Sequence, residues 1–182
     1  MTQVGSSCKR KDVLLAKHHD DLMKLMEHGK IIAGIGLHQE TNLSRPGATR
    51  WGSHLRTLLR IYTMWNAVVD VLAIMVDDAR EHTCQGGASG LIIKMECFQF
   101  VFIMLFLINL LQTTNMLSQA LRRKKQDVVE AMHLISDVKE TLQDMRDNGY
   151  ESLCSQAKIF CEEHVIVRTK NKVTRHHYFK VR

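Results

Sequence analysis

Fifteen consecutive residues, Cys97 to Leu111 (CFQFVFIMLFLINLL), carry no charge. No other stretch restricts the possible folds as much, because such a segment must be hidden from water in a protein core or a bilayer. As a helix it spans about 22 Å, short of the roughly 30 Å hydrocarbon core of a membrane. Extending it toward the N-terminus brings in Lys94 and Glu96, and Gln99 and Asn109 inside it add desolvation cost. The cluster Arg122-Arg123-Lys124-Lys125 beyond it resembles a positive-inside flank. The length rule favours the central helix of a bundle, expected over Leu91–Leu121. The competing reading is a small membrane-anchored protein that uses residues 97–111.

A buried central helix needs amphipathic neighbours, and the sequence supplies them. Between Asp12 and His28, Leu14, Leu15, His18, Leu22, Leu25 and Met26 keep a helical spacing, with Gly29 placed to end the helix. From Ser53, read as an N-cap, the residues Leu55, Leu58, Leu59, Tyr62, Trp65, Val69, Leu72 and Met75 form one stripe as far as Asp77-Asp78. Arg56, Arg60, Asn66 and Asp70 lie off it. The segment His82–Gly90 (HTCQGGASG) reads as a loop. Past the basic cluster, Asp127 and Glu130 have capping-box spacing. Val128, Val129, Met132, Ile135, Val138, Leu142 and Met145 then make the inward face of a fourth helix, stopped by Asn148-Gly149. Glu151–His164 makes a fifth, with Leu153, Cys154, Ala157, Phe160 and Cys161 inward. One proline and ten glycines leave little turn chemistry for a sheet. The expectation is an all-α fold, an irregular bundle of about five helices around a long apolar central helix, with a helical domain over 5–165 and a flexible basic tail over 166–182.

Charge sets the tail apart. All 19 acidic residues precede Arg168, together with 19 of the 25 basic ones. The remaining bases, Arg168, Lys170, Lys172, Arg175, Lys180 and Arg182, therefore account for the whole formal charge of +6. Such a tail attracts phosphate without sequence preference, and its plain alternative is a solvated end. Five cysteines lack a disulfide framework spacing, and MTQVGSSCKRKD has no apolar leader core, so reduced thiols in a cytoplasmic or nuclear protein that is not secreted fit best.

The chemistry-bearing patterns are sparse. Cys154, Cys161 and His164 share one helix face, but a structural zinc site needs four ligands in short pairs, and small core residues are the plainer reading. Asp20-Asp21 and Asp77-Asp78 are adjacent in sequence and so point about 100° apart on a helix. No nucleophile elbow or phosphate-binding glycine loop is present. No metal, cofactor or small-molecule substrate is expected. The stretch Arg45–His54 (RPGATRWGSH) differs: Arg50 offers a guanidinium for phosphate and Trp51 an indole for base stacking, against the plainer role of a tryptophan at a core edge beside a surface arginine.

The block RPGATRWGSHLRTLL resembles the Thr-Arg-Trp region of hAT-superfamily transposases, in particular the plant proteins described as zinc finger MYM-type protein-like. The stretches SCKRKD (7–12), GLHQETNLSRPGATRWGSH (36–54), KMECFQFVFIM (94–104) and RHHYF (175–179) extend the similarity collinearly over most of the chain. The resemblance implies a nuclear DNA transposase scaffold with an N-terminal zinc finger and an RNase H-like domain whose two aspartates and a glutamate hold divalent metal. It also implies a helical insertion ahead of the glutamate and a C-terminal dimerisation segment. Only Arg50 and Trp51 carry over residue by residue, as the pair beside a flipped base. The carboxylates would lie before Met1 and after Arg182, which leaves the insertion region, without a catalytic triad, as a non-catalytic chain. The expected partners are non-specific DNA and another transposase-like chain.

Overall fold

The computed structural model describes residues 7–27, 43, 51–78, 82–122 and 127–166, which form seven helices and, among the described residues, no strand. They are α1 (Cys8–Glu27), α2 (Trp51–Thr63), α3 (Trp65–Asp77), α4 (His82–Met95), α5 (Phe98–Ala120), α6 (Val128–Asp147) and α7 (Gly149–Glu163). The all-α class and the long apolar helix are as the sequence indicates. Among the described residues the count rises from five to seven because two expected helices each break once, and a glycine-rich stretch extends one of the pieces.

The first break is at Met64, where α2 and α3 meet at 80°. Its residues lie on the stripe read as one straight helix. Met64 leaves the helical region (φ −106°, ψ 25°), while its N–H still reaches the Arg60 carbonyl at 2.9 Å. The Thr63 hydroxyl donates to that same carbonyl at 3.3 Å, the kind of back-bonding that bends helices. Packing explains why the bend is kept. A straight helix would present one stripe to one neighbour, whereas the bend lets α2 lie along α5 while α3 packs on α1 and α4. As a result α3 is buried over more than the expected stripe, through Trp65, Ala67, Val68, Val71, Leu72 and Met75.

The second break is at Glu96-Cys97, where Cys97 turns extended (φ −114°, ψ 142°) and α5 begins at Phe98. The stretch His82–Gly90, expected as a loop, is the first part of α4. Its weak propensity is overridden by packing on α3, where Ala88 is fully buried. Helix α5 turns Val101, Met104, Leu105, Ile108 and Leu111 inward, the i, i+3, i+4, i+7 pattern of a core face. It touches α2, α4, α6 and α7. Its cover is one-sided, with Ile103 46% and Met116 71% exposed.

Helix α6 departs furthest from expectation. No residue of it is buried, and Val128, Val129, Met132 and Ile135, read as inward, are exposed. Of that face only Val138, Leu142 and Met145 are half-covered, in the part of the helix that packs on α5 and α7. The capping box does not form: Asp127 sits at the N-cap in an extended conformation with no side-chain cap hydrogen bond. Helix α7 buries Leu153, Ala157, Phe160 and Cys161 as expected, with Cys154 half-buried.

Trp65, the first residue after the bend, is 2% exposed and stands at the junction of four helices. It meets Phe160 of α7 edge-on at 5.1 Å, Phe100 of α5 at 6.0 Å and His164 at 6.0 Å. Tyr62 of α2 stacks on the same Phe160 at 5.1 Å. Each such ring pair adds about 0.5–1.5 kcal/mol beyond its buried area. Trp65→Ala is therefore expected to cost about 3–5 kcal/mol in urea denaturation, whereas truncating the neighbouring exposed Asn66 should cost far less.

Gly86 and Gly90 lie one turn apart in α4, and a Cβ added at either would meet nothing within 4 Å. Alanine at each site should raise stability by about 0.5–1 kcal/mol by restricting the unfolded chain. A loss of stability in the same measurement would mean that this segment is not helical in solution.

Candidate nucleic-acid interface

Where the first turns of α2 pass the last turns of α5, the two helices enclose an open cleft of about 1110 Å³. Leu55, Leu59, Leu110 and Leu111 form its apolar walls. Its polar lining comes from Ser53 and Arg56 on α2 and from Asn115, Ser118, Gln119 and Arg122 on α5. The change in character along α5 makes this arrangement possible. The apolar run gives way after Leu111 to QTTNMLSQA, which remains uncharged but can solvate a groove. Thr114 also lines the cleft, but its hydroxyl is turned back onto the Leu110 and Leu111 carbonyls at 3.0 and 3.2 Å. Thr113 does the same to Asn109 at 3.1 Å. Among the described residues, Asn115, Ser118 and Gln119, not the threonines, are therefore the groups turned toward a ligand. Gly52 packs against α5, with a Cβ there 3.5 Å from Asn115 Oδ1, so the site would accept alanine.

The cleft is electropositive. No aspartate or glutamate is among its described lining residues. Arg56 and Arg122 are both exposed, and among the described residues neither has a carboxylate partner. The first turn of α2 holds no acidic residue, so nothing within the helix offsets the partial positive charge of its N-terminus. Apolar walls, amide donors and two exposed guanidinium groups suit an extended anion with flat apolar parts.

The residues named from sequence are only partly placed. Trp51 opens α2, so its backbone sits at the mouth of the cleft, while its side chain lies outside the described residues. Arg50 also lies outside them, as does the tail with Arg168, Lys170, Lys172, Arg175, Lys180 and Arg182. Ser53, read as the N-cap, is inside the helix and faces the cleft. Arg56 and Arg122 had only the look of solvated charges in the sequence. Their sole signal was proximity to the Arg-Trp pair for one and to the end of the apolar run for the other, two places that the fold brings together.

Elsewhere the structure disperses what the sequence aligned. Among the described residues no group of three His, Cys, Asp or Glu side chains could hold a metal ion. Cys161 is buried in the core, Cys154 is half-buried, and His164 bonds Asn66 through Nδ1 at 2.7 Å. Burial lowers the His164 pKa below its ordinary value of 6.5, against smaller upward pulls from Glu163 and Asp21. No known family model matches the chain, and no solved structure matches it.

Proposed function

We propose that this chain is a non-catalytic, DNA-associated helical module of the hAT transposase-like kind, which holds nucleic acid by its backbone and does no strand chemistry. What carries the reading is the cleft at the start of α2, which among the described residues is lined by no acid and carries Arg56 and Arg122 on its walls without a carboxylate partner. It sits beside the Thr-Arg-Trp stretch on which the resemblance to those transposases rests. Phosphates would meet the two guanidinium groups and the α2 N-terminus. An unstacked base would find the apolar walls, and base stacking is the role that the resemblance assigns to Trp51. The basic tail would add sequence-indifferent attraction. Metal-assisted cleavage needs carboxylates gathered around a divalent ion, and none of the described carboxylates gather in that way.

Fluorescence anisotropy over a salt series tests this. Six tail contacts give a log–log slope of about −5, and the cleft arginines add about −0.9 each. Deleting residues 168–182 should flatten the slope to roughly −2. Arg56→Ala with Arg122→Ala should take away the remaining binding, most of all to single-stranded ends. Equal affinity for the full chain and for a variant lacking both sets of charges would reject DNA as the partner.

One observation favours a second reading, a membrane anchor formed by α5. The helix is 23 residues long, longer than the run read from sequence, and its 18-residue apolar window has a mean hydropathy of 1.8 with only 22% of it buried. At about 34 Å it is long enough to cross a bilayer. Five side-chain amides (Gln99, Asn109, Gln112, Asn115, Gln119) and the inward face packed on α2 and α7 argue for a bundle instead. Carbonate extraction of the expressed protein decides between them. The bundle reading expects release into the supernatant, and retention in the pellet would establish the anchor.

A further inference from the structure

Helix α6 carries the largest acidic excess of the seven helices, with Glu130, Asp137, Glu140, Asp144 and Asp147 against Lys139 and Arg146. Glu130, Asp137 and Asp144 follow one another down one face, and Glu140 and Asp147 stand beside them on the side toward Val129. All five acids are exposed. Among the described residues only Asp147 has a basic partner, Arg146 at 3.9 Å. Asp144 and Asp147 also accept from the neutral side-chain amides of Asn148 and Gln143 at 2.7 and 2.8 Å, which leaves their charge in place. Next to this acidic face, Val128, Val129, Met132 and Ile135 are 76, 61, 66 and 45% exposed. No described residue covers either surface.

The chain itself holds a complement to both. Residues 167–182 contain Arg168, Lys170, Lys172, Arg175, Lys180 and Arg182 without one acid, and Val173, Tyr178, Phe179 and Val181 stand among them. They follow directly on Ile166, whose side chain is 6% exposed and so fixes the point of departure on the body of the protein. That point lies just past the end of α7, which is joined to the end of α6 through Asn148 and packs on it. Helix α7 is about 22 Å long and α6 about 30 Å, so even the start of α6 is at most about 50 Å away. Fully extended, the 167–182 segment spans about the same distance, and the acids from Asp137 to Asp147 are nearer. The cleft between α2 and α5 presents Arg56 and Arg122 instead, which repel the segment.

We propose that the exposed surface of α6 is the docking site for the chain's own basic segment, residues 167–182: its cations lie along the acids of α6, and Tyr178 and Phe179 cover part of the Val128–Ile135 patch. Each exposed ion pair is weak on its own. The tether supplies an effective concentration on the order of millimolar, so contacts too weak to hold a free peptide populate the docked form. Because the pairs lie at the surface, the docked form is sensitive to salt. On the DNA reading above, phosphate competes with α6 for the same six cations, and docking holds the segment back until a polyanion displaces it. Docking is measured without nucleic acid, so its failure and the failure of the DNA reading are separate outcomes.

NMR and cross-linking on the full chain test the docking. In about 20 mM salt the amide shifts of residues 168–182 should differ from those of the free synthetic peptide 167–182, and in about 1 M salt they should converge on them. Glu130→Gln with Asp137→Asn and Glu140→Gln, three exposed substitutions that leave the core alone, should bring the same convergence at low salt. The amides of Val68 and Leu105 should stay in place and show that this variant is folded. The reciprocal change, Lys170→Gln with Lys172→Gln and Arg175→Gln, leaves α6 intact and should move the amides of Asp137 and Asp144 as high salt does. Carbodiimide, which joins a lysine amine to a carboxylate in contact with it, should link Lys170, Lys172 or Lys180 of the parent to acids of α6. The yield should fall at least about threefold between the two salt concentrations. A mixture of isotope-labelled and unlabelled chains shows whether a linked pair belongs to one chain. The proposal is overturned if the segment's shifts equal those of the free peptide at low salt, or if neither set of substitutions moves the shifts of its counterpart. It is equally overturned if the lysines couple chiefly to acids of other helices, or if the linked pairs join two chains.

Discussion

The edge-to-face contact of Trp65 with Phe160, 5.1 Å between ring centroids, holds together elements that would otherwise be separate. Trp65 is brought there by the 80° turn at Met64, and Phe160 by the last turns of α7. Through Tyr62, Phe100 and His164 the same cluster reaches α2, α5 and the end of α7. Without the turn, the continuous apolar stripe from Leu55 to Met75 would face one neighbour, and α5 would lose either its own cover or the α3 platform beside it. An offset of a few degrees at this junction would move α2 relative to α5 and so reshape the cleft between them.

Charge is laid out around this frame in two regions. On α6, Glu130, Asp137 and Asp144 follow one another at seven-residue steps, so they share one face, and all are exposed. The cleft at the start of α2 is free of acids among its described lining and carries Arg56 and Arg122. A polyanion approaching from the α6 side meets repulsion, and one approaching the cleft meets attraction and side-chain amides. The chain up to residue 167 has a formal charge of zero, so this asymmetry arises from placement and not from composition. The Lys17–Asp70 pair is half-exposed on both sides and contributes little to stability, but it keeps Asp70 engaged one turn from the His164–Asn66 contact.

The helical class, the fully buried Leu14, the inward Leu153, Ala157, Phe160 and Cys161 of α7 and the presence of a long apolar helix were legible in the sequence. They follow from local periodicity, and periodicity survives whatever the neighbours do. The candidate site was legible only at its edge. The Thr-Arg-Trp stretch pointed to the start of α2, but the other wall of the cleft comes from α5, beyond Leu110, and no spacing rule connects Arg56 to Arg122 across that distance in the chain.

What the sequence determined by itself is therefore the inventory: most of the helical segments, which faces are apolar, and that the excess charge lies in the tail. The tertiary structure decided three things that no single segment encodes. It broke the 53–77 stripe at Met64, because two partners in different directions bury more apolar surface than one. It made His82–Gly90 helical, because burying Ala88 against α3 outweighs the cost of glycine in a helix. It left Val128, Val129, Met132 and Ile135 in water although their spacing announces a core face. Periodicity says which side of a helix is apolar, but only the number of neighbours available decides whether that side is covered.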